Sequence, residues 1–76
     1  MKEMIINLVR EITADNNVQH DDELLESEIL DSVGIAMLLT EIESRIGIVV
    51  EIEDVVPENF ATIDAIIDLL KRYKED

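Results

Sequence analysis

Ser32 is the side chain with the clearest chemical opportunity. It stands in Ile29-Leu30-Asp31-Ser32-Val33-Gly34, where a polar, acidic loop meets the start of an apolar-striped helix. The first N–H groups of a helix lack intrahelical partners and carry the positive end of its dipole, so an anion attached there is held favourably. A phosphodiester on Ser32 is such an anion. The same residues also read as an ordinary helix cap, made by Ser32 or by Asp31. No capping box supports that second reading, because Ile35 rather than Glu or Gln stands three residues beyond the serine.

The other reactive groups offer less. His20 is the only histidine, and it reads as a loop residue without a partner rather than as a metal ligand or a base. A serine-hydrolase set of Ser32, His20 and Asp31 fails because no strand–turn–helix elbow surrounds the serine. Asp15, Asp21, Asp22 and Glu23 lack the spacing and the glycine of an EF-hand, so only weak, unselective divalent binding is expected there. With no cysteine there is neither a disulfide framework nor a thiolate metal site. No metal centre and no catalytic residue are expected. Phe60 and Tyr73, the only aromatics, read as packing residues.

A chain of 76 residues bounds the whole to one small domain, residues 1–76. Nineteen Asp and Glu against six Lys and Arg give a formal charge of −13. That balance excludes nucleic acid as the main partner and disfavours an anionic membrane surface. No run of about 18 apolar residues and no basic-then-apolar start are present, so neither a span nor a signal peptide is expected. A reducing, cytoplasmic location fits the cysteine-free composition. Apolar residues make up 47% of the chain, too many for an acidic disordered tail. Charge is also unevenly placed: from Glu11 to Leu70, sixteen acids meet one base, Arg45, a net of −15. This is either a solvated surface or a single-sign field that draws basic partners to the middle of the chain.

Four helical elements must position Ser32. Met4, Ile5, Leu8, Val9 and Ile12 recur at offsets of three and four, which predicts a helix from Met1 to about Ala14. Asp15 to Asp31 reads as a long loop held to the core by Leu24, Leu25, Ile29 and Leu30. A second helix, from Asp31 or Ser32 to about Ile46, buries Ile35, Leu38, Leu39, Ile42 and Ile46 and ends at Gly47. Ile48 to Ile52 is β-branched, yet nothing in the chain pairs with it, so it reads as an extended connection. A short helical turn over about Glu53 to Val56 and a break at Pro57-Glu58-Asn59 follow. The last helix, capped by Thr62 and reaching about Tyr73, carries Ile63, Ile66, Ile67 and Leu70 inward. Lys71, Arg72 and Lys74 in its final turn suit the helix dipole. The fold class is all-α, with three main helices and a short third one. On the second helix, Val33, Met37, Thr40, Glu41 and Ser44 share a face away from the core stripe, beginning beside Ser32. Met37 either fills a gap between helices or offers adaptable contact surface.

Asp31-Ser32-Val33 at a helix start, after a long acidic loop, resembles the Asp-Ser-Leu attachment motif of acyl and peptidyl carrier proteins. Leu30 to Gly34 together with Leu38-Leu39, Ile42-Glu43 and Arg45 resembles carriers of amino-acid or polyketide-type cargo, including the D-alanyl carriers. Pro57 to Ile63 is similar to the segment between the third and fourth helices of many discrete carriers, and the likeness spans essentially the whole chain. The resemblance implies a four-helix bundle of acyl-carrier type with a short third helix. It implies that Ser32, flanked by Asp31, receives 4′-phosphopantetheine from coenzyme A through a phosphopantetheinyl transferase, and that the arm's thiol holds an acyl or aminoacyl thioester. It implies further partners, an acyl- or amino-acid-activating enzyme and a downstream synthase or transferase, and a monomer without catalysis of its own. Two positions depart from the pattern. Val33 replaces the usual leucine, and Met37 stands where fatty-acid carriers have glutamate, which points to partners with an apolar pocket at Val33, Met37, Thr40 and Glu41. The alternative role is an unmodified acidic helical adaptor for a basic protein.

Charge repulsion of this size destabilises the folded state, and counterions relieve it. The melting temperature followed by circular dichroism should therefore rise with added salt, and more steeply with magnesium than with sodium at equal ionic strength.

Overall fold

The apolar spacing of the first segment forms α1 (Lys2–Thr13) in a computed structural model, which describes residues 1–74. α2 spans Ser32–Ile46 and α3 spans Ile63–Lys74. Between α2 and α3 the chain makes two 3-10 turns, Ile52–Asp54 and Pro57–Asn59. The fold is thus all-α, with no strand among the described residues, and the short third element is 3-10 rather than α-helical. The expected break at Pro57 is itself the second of these turns, since proline's fixed φ suits the first position of a helical turn. No helix among the described residues is long and apolar enough to cross a membrane.

Helix ends are set by local chemistry that the sequence displays. α2 stops at Gly47, whose φ of 81° is the left-handed conformation that glycine adopts without strain. α3 starts where the Thr62 hydroxyl accepts a hydrogen bond from the Ala65 amide at 3.0 Å. α1 ends at Ala14, also left-handed at φ 57° despite its side chain, a stop that composition alone does not announce.

α1 packs against both α2 and α3. The core holds the expected Ile5, Leu8, Val9, Leu24, Leu30, Leu38, Ile42, Ile63, Ile66, Ile67 and Leu70, together with Phe60. It also holds Val18, Ile48 and Leu69, which fall outside the predicted stripes. Met4, placed on the α1 stripe by its spacing, is exposed instead, although its stripe neighbour Ile5 in the same turn is fully buried. Met1 and Met4 gather with Arg45, Ile46 and Lys74, so the start of α1 meets the ends of α2 and α3. α1 therefore runs opposite to the other two helices, and the start of α2 lies at the far end from this basic cluster.

The loop from residue 15 to 31 is fastened at several points. Arg10 Nε donates to the Val18 carbonyl at 2.9 Å, and the Leu24 amide donates to the Ala61 carbonyl at 2.7 Å. The Asp64 amide donates to the His20 carbonyl at 3.0 Å. Val18, Leu24 and Leu30 are buried beneath these bonds, each contributing about 1.5–3 kcal/mol relative to exposure. Ser32 thus follows an anchored segment.

Tyr73 does more than pack. Its hydroxyl donates to Asp54 Oδ2 at 2.5 Å and accepts from the Glu51 amide at 2.7 Å, tying the first 3-10 turn to α3. The hydrogen bond to Asp54 raises the phenol above its ordinary value of 10.0. The folded state therefore holds this proton more tightly than the unfolded chain. Its stabilisation is complete below pH 10 and is lost as pH climbs through the raised value. The gap in urea midpoint between the parent and Tyr73→Phe should accordingly narrow above pH 10, and the absorbance titration of this single tyrosine should lie above that of the unfolded chain.

Candidate functional site

The start of α2 is built by its preceding residue. Asp31 is extended (φ −112°, ψ −176°), and its Oδ1 accepts from the Gly34 amide at 2.8 Å while its carbonyl accepts from the Ile35 amide at 2.9 Å. Asp31 is therefore the cap, and Ser32 is the first residue of the helix. Of the two capping readings that the sequence left open, the structure selects the one that leaves the serine hydroxyl uncommitted. Ser32 is exposed to solvent.

No acidic side chain occupies the first turn of α2. The amides of Ser32 and Val33 donate to no group among the described residues, so the positive end of the dipole faces solvent beside the serine oxygen. The arrangement suits a phosphate ester on that oxygen. Gly34 serves packing. A Cβ at that position would stand 2.7 Å from Leu30 Cδ1 and 3.6 Å from Ile12 Cγ2, so the missing side chain lets the loop and α1 close against the helix start.

Beyond Ser32, the predicted outer face of α2 proves to be one wall of a groove. Val33, Met37, Thr40 and Glu41 line it from α2, joined by Leu8, Glu11 and Ile12 from α1. Its volume is about 430 Å³. Val33 is 66% and Met37 50% exposed, so Met37 edges an open cleft rather than plugging a gap between helices. The Thr40 hydroxyl donates to the Ala36 carbonyl at 3.0 Å, and Arg45 pairs with Glu41 at 2.9 Å. Ser44 is exposed but lies outside the groove lining. The α1 contribution was invisible in the sequence, where Leu8 and Ile12 read as core residues and Glu11 as surface.

His20 corrects an expectation. Its Nδ1 lies 2.7 Å from Asp64 Oδ2, so this loop histidine has a partner, and the contact links the loop to the first turn of α3. The 44-residue separation of the pair explains why local reading missed it. The imidazole faces Asp64 in a structural tie. Among the described residues, no three carboxylate or imidazole groups converge on a point suited to a metal ion.

The chain matches no family model and no solved structure. Curated proteins do resemble it. A D-alanyl carrier protein of Streptococcus suis (strain 98HAH33) is 35% identical over 68 residues, covering 88% of this chain and 86% of the relative. One from Enterococcus faecalis is 35% identical over 69 residues, covering 88% of each. One from Listeria innocua is 35% identical over 75 residues, covering 96% of each.

The cap assignment has a direct check. Asp31→Ala should lower stability by about 1 kcal/mol in urea denaturation, whereas Asp31→Asn, which can still accept from Gly34, should lose only a few tenths.

Proposed function

Because the chain belongs to the acyl and peptidyl carrier protein family, we propose that it is a discrete carrier modified on Ser32 with 4′-phosphopantetheine. One observation supports this above the rest: the serine stands exposed at the first position of α2 while Asp31 does the capping. In the loading step, the Ser32 Oγ bonds to the pantetheine-side phosphorus of coenzyme A. The pyrophosphate P–O bond breaks, adenosine 3′,5′-bisphosphate leaves, and the hydroxyl proton passes to a base of the transferase. The arm brings a thiol that holds an acyl or aminoacyl group as a thioester, which explains why a chain without cysteine can do thiol chemistry.

The chain's own residues bind and present. The helix start meets the phosphodiester with the Ser32 and Val33 amides, and Asp31 fixes where that start falls. Val33 and Met37 form an apolar contact surface for partner enzymes, with Thr40 and Glu41 on its margin. Glu41 is held by Arg45, so this face relies on apolar contact more than on net charge. An aminoacyl cargo is the favoured reading, since the relatives are named D-alanyl carrier proteins.

Incubation with coenzyme A and a broad-specificity phosphopantetheinyl transferase should add one phosphopantetheinyl group to the intact mass, and Ser32→Ala should abolish the gain. A gain that persists in Ser32→Ala, or none with several competent transferases, refutes the assignment. On the loaded protein, Met37→Glu should slow aminoacylation by its activating enzyme by about tenfold, the equivalent of about 1.4 kcal/mol, without changing the melting temperature. Equal rates would remove Met37 from the docking surface.

A further inference from the structure

A second cleft lies at the far end of α2 from Ser32, lined by Met1, Met4, Arg45, Ile46 and Lys74. The start of α1 supplies one wall, and the ends of α2 and α3 supply the rest. Arg45 is the one base between Glu11 and Leu70, a stretch that holds sixteen acids. The fold delivers it to the cleft that Lys74 also lines. A cation at a helix end complements the dipole of that helix. The dipoles account for each cation singly, but they leave two like charges sharing one concavity.

Both cations keep unused donors. Arg45 gives its Nε to Glu41 at 2.9 Å, and its two terminal nitrogens donate to no group among the described residues. Lys74 has no ion-pair partner among the described residues. A guanidinium fork beside an ammonium suits a carboxylate, which accepts from both in charge-assisted hydrogen bonds. Met1 and Met4, 42% and 39% exposed, add adaptable apolar contact around that point. The volume of about 230 Å³ falls below the roughly 300–1,000 Å³ of small-molecule sites. It has room for one or two side chains rather than for a metabolite.

We propose that this cleft docks an acidic segment of a partner protein, one in which an Asp or Glu stands beside a leucine-like side chain. The carboxylate sits between Arg45 and Lys74, and its apolar neighbour rests on Met1 and Met4. From Ser32 to Ile46 the helix runs about 21 Å at 1.5 Å per residue. That span exceeds two Debye lengths at physiological salt, so Asp31 does little to repel the segment. The same span leaves Ser32 free while the cleft is filled. The surface stands whether or not Ser32 is modified. Joined to the carrier reading, it is a handle by which the protein is held while its other end is served.

The test titrates isotope-labelled protein with a capped hexapeptide of alternating leucine and glutamate, to about 5 mM, above the Kd of a millimolar contact. Amide signals should shift at Met4, Ile46 and Lys74 and stay still at Ser32. The affinity should fall as sodium chloride rises. Arg45→Gln and Lys74→Gln, both at exposed positions, should keep the circular dichroism spectrum and each weaken binding about threefold, the scale of an exposed ion pair. Absent shifts, shifts centred on the start of α2, or an affinity indifferent to salt would overturn the surface. Equal shifts from a leucine–glutamine peptide would overturn it too, as apolar adhesion alone. Equal shifts from sodium acetate would reduce it to an anion site and overturn the peptide surface. Phosphopantetheinyl loading, followed by intact mass, should keep its rate with the peptide bound. A gain slowed in the parent but not in the double variant would overturn the independence of the two ends. No gain with or without peptide defeats the carrier reading and leaves the cleft to be judged by the shifts.

Discussion

The carboxylate of Asp31 sits on the amide of Gly34, and the register of everything downstream follows from that bond. Were the cap one residue later, the Ser32 oxygen would be turned back onto the helix and spent there. As it stands, an aspartate meets the orphan donor and a serine is displayed beside two others. The same turn is the point where three segments converge, since Gly34 admits Leu30 from the loop and Ile12 from α1 to near-contact distance. Position of the hydroxyl and closure of the core are one geometric decision.

A long loop upstream of an exposed serine would ordinarily blur its position. Here the loop is stitched to two helices, through Arg10 and Val18 on one side and through Ala61 and Asp64 on the other. The ties are mixed in kind: burial of Val18 and Leu24 supplies most of the free energy, while the backbone bonds fix the path. Glu28, with a φ of 58°, takes a left-handed conformation unusual for a side chain of its length. It lies just before Leu30 re-enters the core, where the chain must reverse in few residues. Strain there is offset by the anchors around it.

Much of this was readable in advance. Spacing located three helices, Gly47 and Thr62 marked an end and a beginning, and the acidic loop leading to Ser32 marked the candidate site. These are local signals, carried within a few residues. What the sequence hid was tertiary. Val18 sits in a polar run, so no periodicity flags it, yet it is fully buried. His20 and Asp64 meet only because the loop crosses the start of α3. The groove needs two antiparallel helices, and neither helix reveals which neighbour will flank its outer face. Met4 failed for a related reason, since a stripe specifies a side of the helix but not which edge of that side a neighbour covers, and Ile5 beside it is fully buried. The connection after Gly47 is the remaining case: Ile52 is 81% exposed despite its hydrophobicity, because a single three-residue 3-10 turn cannot bury every apolar side chain it carries.

The antiparallel course of α1 brings Arg45 and Lys74 together with Met1 and Met4 at one extremity, while Asp31 at the start of α2 lies towards the other. A body so polarised experiences a torque in an external field before it experiences any contact. Near any cationic surface it tends to turn with the helix-start end foremost. Orientation, and not only attraction, is therefore written into the way three short helices are arranged.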